Sequence, residues 1–486
     1  MGDHTATNKE IGPAELAATG ALLLYFLFKL CWFAIRIGPD IFPDEVTWFG
    51  ISRLFSHSLL PPADSPASYQ YGLITTVPTL YFWLMGKLLA LNVTPLDDLI
   101  FLRFCNIVIA LATLHFGWHL ARTVMDHGAA RLLFLAMLTN TLMFTFLSAS
   151  VSYDNLTNML AAMAIYYAVR FRLERNPHLL LLCLAGLFLG GLTKLAFLPF
   201  AFLVLAGLLA LEWRNLSGFG KGFAGLFTQR RPLALALLAL LLVSGALNVK
   251  LYLGNLVRYS ALQPQMDRVV GLEAALQYRI FARDYIANQF RSGAISYTEA
   301  VRMTALIKHE GDRQGALYLL QDALRQKTEG PEPRLDRFHY AFVWTELMGD
   351  KIFGIMAHKN LFRSDRELAL YSLIFLLALA CCLRRFTAAD LRTTAPLLLG
   401  VAGGYTLIVM QLVNYRTYLG PGIIDLALQG RYLFPVLVPF LLTAAHYLTP
   451  RAGTLRGWLT ALPLIAFFIA MEFPWFLRNV TPDWFF

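Results

Sequence analysis

Residues 148–158 read Ser148-Ala149-Ser150-Val151-Ser152-Tyr153-Asp154-Asn155-Leu156-Thr157-Asn158, and they join the apolar runs 132–149 and 155–169. Hydroxyls, amides and one carboxylate here interrupt two stretches suited to hydrocarbon. A carboxylate is expensive inside a bilayer, so the segment reads as a connection at a membrane face, with Asp154 at or just inside the interface. Capping is the plainer use: Ser152 or Asp154 can accept the first free N–H groups of the next helix.

The same alternation extends in both directions. Twelve apolar runs stand at 16–37, 71–91, 99–118, 132–149, 155–169, 179–193, 195–211, 233–253, 368–383, 395–413, 432–448 and 457–475. A helix of about 20 such residues crosses a hydrocarbon core and satisfies its own backbone. The 486 residues are 57% hydrophobic and only 15% charged, where a soluble domain carries about 25%. Mean hydropathy is +0.55. This excludes a small soluble enzyme, a disulfide scaffold and a disordered chain. The five Cys lie in or beside apolar runs and read as buried small hydrophobes. Met1 to Glu15 lacks the basic region and cleavage site of a signal peptide, so the first run reads as a retained span.

Charge sets the expected orientation. Fourteen Lys and Arg lie in five short loops, Arg122–Arg131, Arg170–Arg175, Arg214–Arg231, Arg384–Arg392 and Arg451–Arg456. With those loops in the cytoplasm, 38–70, Asp154, Lys194 and 415–431 face outward. The count closes if 71–91, with Gly72 and Pro78, does not cross. The expectation is an all-α polytopic membrane protein of about 11 transmembrane helices, a juxtamembrane or re-entrant helix and a helical outer-face domain. The one long polar stretch, 254–366, holds 16 basic and 13 acidic residues. It lacks the basic stripe of a nucleic-acid site. The chain divides into an N-terminal module 1–253, this outer unit 254–366 and C-terminal spans 367–486.

Chemistry-bearing residues gather on the outer face. Phe42-Pro43-Asp44-Glu45 sets two carboxylates just beyond the first span. Such a pair can serve as base and as metal or acceptor ligand, because proximity pushes the two pKa values apart; an acidic interfacial turn is the bland alternative. Gly190-Gly191-Leu192-Thr193-Lys194 carries one ammonium, a phosphate ligand or a snorkelling Lys. It lacks the Walker A spacing. Gln429-Gly430-Arg431-Tyr432-Leu433-Phe434-Pro435 opens the penultimate span, where Arg431 can grip a phosphate bidentately and Tyr432 sits at interface depth. Tyr415, Arg416, Tyr418 and Asp425 thicken the patch, and ordinary interface anchoring is its alternative. His57, His339 and His358 show no metal spacing. Acids (Asp44, Glu45, Asp154) and cations (Lys194, Arg431) together suit a substrate with a lipid tail and a phosphate.

These motifs resemble the GT-C superfamily of glycosyltransferases that use polyprenyl-phosphate sugars. They look most like the bacterial membrane-protein family of domain of unknown function 2142, with signatures PDEPxH and QGRYxxP. Here the signatures read Pro43-Asp44-Glu45-Val46-Thr47-Trp48 and Gln429 to Pro435, with Ser150 to Asp154 as the middle cluster. Val46 and Trp48 replace the usual Pro and His. The resemblance implies Asp44 as base, with Glu45 beside it for acceptor or metal. It implies Asp154 as the second acid, bound to metal or acceptor, and Lys194 and Arg431, with Tyr432, on the lipid phosphate. Tyr153, Arg416 and Asp425 are further outer-face candidates. A divalent ion, Mg2+ or Mn2+, would lie on Glu45 and Asp154.

The expected activity is transfer of a sugar from undecaprenyl phosphate to a hydroxyl of an envelope polysaccharide, lipopolysaccharide, lipid or protein. It would occur at the periplasmic face of the bacterial inner membrane, with inversion. The partners are the polyprenyl-phosphate donor, the acceptor and membrane lipids, not nucleic acid. The competing readings are a polymerase or ligase using a lipid-pyrophosphate donor, and a lipid-glycan transporter.

Overall fold

The computed structural model describes residues 12–39, 41–213, 231–307, 310–330, 333–356, 359–360, 365–387, 390, 393–426, 428–450 and 454–486. The polar start through Ile11, Asp40, most of the basic loop 214–231, parts of the basic loops at 384–392 and 451–456, Pro331-Glu332 and His358 lie outside the described residues.

The first half of the chain is a run of helices. They are α1 (Pro13–Arg36), α2 (Glu45–Ser56), α3 (Leu80–Ala90), α4 (Asp98–Val124), α5 (Gly128–Thr139), α6 (Leu142–Ser148), α7 (Tyr153–Glu174), α8 (Pro177–Gly191) and α9 (Phe197–Glu212). Local chemistry starts several of them. Asp97 accepts the Leu99 N–H at 2.9 Å, Asn176 accepts the His178 N–H at 3.0 Å ahead of Pro177, and Ser152 accepts the Asp154 N–H at 3.2 Å. Ser152 is thus the cap of α7, which leaves Asp154 in its first turn.

Next comes α10 (Arg231–Tyr259), which continues through a π turn at Val249–Leu253 and so passes the expected end of its apolar run. Then follow α11 (Met266–Val270), α12 (Leu272–Ala275), α13 (Arg279–Ser292), α14 (Tyr297–Thr304), α15 (Glu310–Glu329) and α16 (Arg337–Phe353). Helices α13 to α15 share a small core that includes Ile286, Phe290, Ala300 and Leu320. Helix α16 does not belong to it. Its Tyr340, Trp344, Met348 and Ile352 recur every fourth position and join the main core. The polar stretch 254–366 therefore divides into a helical unit with its own small core and a helix packed on the apolar bundle. A two-residue pair, Ile355–Met356 with Lys359–Asn360, precedes the last helices. These are α17 (Asp365–Arg385), α18 (Ala395–Leu419), α19 (Leu437–Leu448), α20 (Thr454–Ala470) and α21 (Phe473–Asn479).

Among the described residues seven helices are long and apolar enough to cross a membrane, or eight if α5 and α6, bent by 64°, form one span. The expected eleven is not reached on length and composition. Helices α8 and α9 have 15 and 16 residues. Helix α7 has 22, enough for about 33 Å at about 1.5 Å per residue, but it is more polar. That polarity is tolerated because α4 and α8 cover it and leave it largely buried. Inside, Asn155 donates to Asn106, Leu147 O and Ser150 O at 3.0, 2.9 and 3.1 Å, while Tyr81 donates to Asn106 at 3.0 Å. Helix α3 has 11 residues, about 16 Å, too short for a hydrocarbon core of about 30 Å. It lies against α2, and Gly86 marks the approach: a Cβ there would stand 2.7 Å from Ser52 O. The run 71–91 thus holds a short helix beside α2.

Buried ion pairs tie distant parts of the bundle, among them Glu15–Arg131 at 2.6 Å, Lys29–Glu472 at 2.5 Å and Glu45–Arg103 at 2.5 Å. Lys29 also donates to Thr139 O at 2.8 Å and Asn140 Oδ1 at 2.9 Å, at the bend between α5 and α6. Such pairs add little net stability, but losing one partner strands a charge.

Candidate functional site

Pro43 leads into Asp44, whose backbone is left-handed at φ 58°. Asp tolerates this region better than most residues. The conformation has a consequence for α2: Asp44 stands at its N-cap position, yet its side chain makes no capping bond. The carboxylate turns instead to Arg431, whose Nη2 donates to Asp44 Oδ2 at 2.5 Å. The other Asp44 oxygen lies 3.6 Å from Arg279 Nη2.

Asp154 completes the cluster from α7. Lys194, in the turn after α8, donates to Asp154 Oδ1 at 2.6 Å. Arg431 Nη1 stands 3.6 Å from Asp154 Oδ2, and Ser152 Oγ donates to that oxygen at 3.4 Å. One guanidinium from late in the chain therefore faces two carboxylates from its first third. Asp154 and Arg431 are 2% and 3% exposed at their side chains, and Asp44 is 20% exposed, so the cluster opens through Asp44. The Tyr153 and Tyr432 rings lie 4.8 and 5.4 Å from Lys194 Nζ, within cation–π range.

Four expected residues thus meet: Asp44, Asp154, Lys194 and Arg431, with Tyr153 and Tyr432 flanking them. Others do not join. Arg416 and Asp425 are exposed and make none of the cluster's contacts. Glu45, expected as acceptor or metal ligand, is fully buried on Arg103. Its oxygens accept from Arg103 Nε at 2.9 Å and Nη2 at 2.5 Å, and Oε1 also accepts the Val151 N–H at 2.9 Å. Arg103 Nη1 donates to Ala34 O and Ile37 O at 2.8 Å each. Those carbonyls end α1 and have no partner within the helix. The pair braces the α1 exit, the Asp44 turn and the Val151 segment together. Gly430 allows a close approach, but to backbone: a Cβ there would lie 2.5 Å from Lys351 O of α16.

The residues do not fit a Mg2+ or Mn2+ ion. Hard divalent ions collect several oxygens at one point. Here Glu45 is engaged by Arg103, and Asp154 by Lys194 and Arg431, so the expected pair serves different cations. Among the described residues no three His, Cys, Asp or Glu group as metal ligands.

Arg279 was not foreseen. It stands at the start of α13 and reaches the cluster from the outer unit. It holds Asp312 at 3.1 Å and Thr47 Oγ1 at 3.4 Å as well as approaching Asp44. Tyr278 beside it is half-buried, and burial together with the Asp44 charge pushes its phenol up to about 12. Trp48, in place of the His of the resembled motif, packs on Tyr153 with ring centroids 4.6 Å apart and on Phe82 at 5.5 Å.

No family model matches the chain, and no curated protein does. The likeness to the family of domain of unknown function 2142 therefore stands on its motifs alone. Among solved structures the chain is similar to the oligosaccharyltransferase AglB of Archaeoglobus fulgidus in complex with an inhibitory peptide and a dolichol-phosphate. That match has 13% identity and a TM-score of 0.45, over 97% of this chain and 59% of that one. It is also similar to the same organism's oligosaccharyltransferase tethered with an acceptor peptide, at 14% identity and a TM-score of 0.42, over 97% and 58%. A third is ArnT of Cupriavidus metallidurans bound to undecaprenyl phosphate, at 13% identity and a TM-score of 0.33, over 89% and 76%. The chain spans less than two thirds of the length of the archaeal chains.

Proposed function

We propose that this chain is a membrane glycosyltransferase of the GT-C type. It moves a sugar from a polyprenyl phosphate carrier to a hydroxyl group of a glycan, lipid or protein. One observation carries the reading. Arg431 is buried between Asp44 and Asp154, and its Nε and Nη1 make no hydrogen bond among the described residues. A buried guanidinium with donors to spare suits a phosphate oxygen. Lys194 adds a second positive charge within the same cluster.

The reaction this supports is a single displacement. The acceptor O–H gives its proton to Asp44 as its oxygen bonds to the anomeric carbon. The bond from that carbon to the phosphate oxygen breaks, and its electron pair leaves with the phosphate. Arg431 and Lys194 offset the charge that develops there. Attack opposite the leaving group inverts the anomeric carbon. A phosphate arriving at Arg431 competes with Asp44 for the guanidinium, which releases the carboxylate to act as base. We place this chemistry at the periplasmic face of a bacterial inner membrane, because the basic loops belong on the opposite side.

The test is sugar transfer from synthetic polyprenyl-phosphate sugars by the wild type, Asp44→Asn and Arg431→Ala. Loss of turnover in both is expected. Wild-type turnover in both overturns the proposal.

A further inference from the structure

A cavity of about 840 Å³ opens beside the ion cluster. Lys194 and Tyr432 line its inner end, and α13 of the outer unit lines the far side with Phe281, Asp284, Tyr285 and Asn288. Its size falls in the range of about 300–1,000 Å³ typical of small-molecule sites. Eight of its 25 lining residues are aromatic, roughly a third, against 14% of the whole chain. Two of these rings are on α13: Phe281 and Tyr285, one turn apart, lie nearly parallel with centroids 5.7 Å apart and planes at 20°. Asn288 and Asp284 flank them on the same helix face, Asp284 also accepting from Arg283 at 2.8 Å.

We propose that the acceptor is a carbohydrate and that α13 is the wall that reads it. This rests on the glycosyltransferase reading and narrows its acceptor from glycan, lipid or protein to glycan. A sugar ring presents a face of C–H groups and a rim of hydroxyls. An aromatic ring of this wall takes the face, because C–H groups are drawn to the negative face of an aromatic ring. The amide and carboxylate take the rim. A polyprenyl tail offers nothing to Asp284 and Asn288 and would desolvate them without return. The direction also fits. A ring on α13 lies in the cavity whose other end is Lys194, so one of its hydroxyls is delivered toward the acids of the cluster.

The full chain in lipid nanodiscs is examined by saturation-transfer NMR. One probe is an equimolar mixture of the methyl glycosides of glucose, galactose and mannose with N-acetylglucosamine. The second is decyl phosphate, which reports the Lys194–Arg431 end. The third is a mixture of Ser- and Thr-containing tripeptides. Expected for the wild type is transfer to the ring protons of at least one sugar, at least fivefold weaker in Phe281→Ala and Tyr285→Ala, with decyl phosphate unaffected. Asn288→Ala, a milder change, is expected to weaken the same sugar at least twofold, and it decides the matter if the ring variants misfold. No sugar signal, a sugar signal unchanged in all three variants, or tripeptides that saturate in place of sugars overturns the proposal. So does a decyl chain that loses contact when the rings are removed, since the cavity then holds the tail. Missing sugar binding with intact donor turnover sinks this inference alone. Intact sugar binding in a protein that turns over no polyprenyl-phosphate sugar sinks the glycosyltransferase reading instead.

Discussion

Arg431 Nη2 donates to Asp44 Oδ2 at 2.5 Å across 387 positions of sequence. This contact joins the turn after the first helix to the entry of the penultimate span, and Asp154 shares the same guanidinium at 3.6 Å. Asn is the substitution that respects the left-handed backbone at Asp44, because it tolerates that region and keeps the shape while losing the charge and one acceptor oxygen. Asp44→Asn should therefore fold with a melting temperature close to wild type. Its kcat for transfer should drop by about 10²- to 10⁴-fold, the usual contribution of a positioned base. A melting curve beside a kcat measurement checks both halves.

The brace under the site should behave differently. Arg103→Met strands the fully buried Glu45 carboxylate, which costs about 3–5 kcal/mol for a broken buried pair. Glu45→Leu combined with Arg103→Met removes both charges and should recover most of that loss. The double variant still lacks the bond to Val151 N, so it should regain stability ahead of activity. Thermal unfolding of the two single variants and the double, with kcat alongside, tests this ordering.

Ser152 carries a smaller weight. Ser152→Ala removes the cap of α7 and should cost about 1 kcal/mol. It also removes one donor to Asp154, so turnover should fall while Lys194 keeps the carboxylate in place. Ser152→Thr, which keeps the hydroxyl, should restore both. Equal turnover in the Ala and Thr variants would show that the cap is structural only.

Tyr278 supplies a pH measurement. Its phenol is raised to about 12, mainly by burial and next by the Asp44 carboxylate. The neutral form is the one the fold favours. Its contribution to stability is whole below the ordinary phenol range near 10 and is lost as pH climbs through about 12. An ultraviolet titration of phenolate, read as the difference between wild type and Tyr278→Phe, should show this late proton. Repeating it in the Asp44→Asn background should bring the midpoint down, because a neighbouring negative charge has gone. An unmoved midpoint would mean that the two groups are not coupled.

Arg279 links the outer unit to the cluster. Arg279→Gln should loosen α13 from Asp44 and Asp312, and limited proteolysis should cut 260–336 faster than in wild type. Arg279→Lys keeps the charge but not the fork, and should recover only part of the protection.

Asp44, Asp154, Lys194 and Arg431 were legible because charged residues are rare beside apolar runs, so each one asks for a partner. Gly72 and Pro78 marked 71–91 as the run least suited to cross, but not that its helix is confined to Leu80–Ala90. The buried pairs escaped the sequence reading: Arg103, Lys29 and Glu472 each lie within an apolar run, where a buried charge demands an opposite one. Sequence spacing cannot say which opposite one, since Lys29 and Glu472 are 443 positions apart. Glu45 misleads for the same reason, because a carboxylate next to Asp44 looks like a co-catalyst until its partner is known. Arg279 gave no signal, being one Arg among many in a polar stretch. The boundary at α16 was obscured because Arg337–Phe353 follows a polar unit with no apolar run to mark it.

The Gly430 contact bears on how the chain can be rebuilt. Its Cα lies so close to Lys351 O that any side chain would collide. The helix that presses there comes from the later part of the polar stretch 254–366, so that stretch is not a detachable accessory. A shortened chain that drops the small helical unit but keeps Arg337–Phe353 retains the backbone against which Gly430, next to Arg431, is packed. One that cuts from Tyr259 straight to the next span loses that contact.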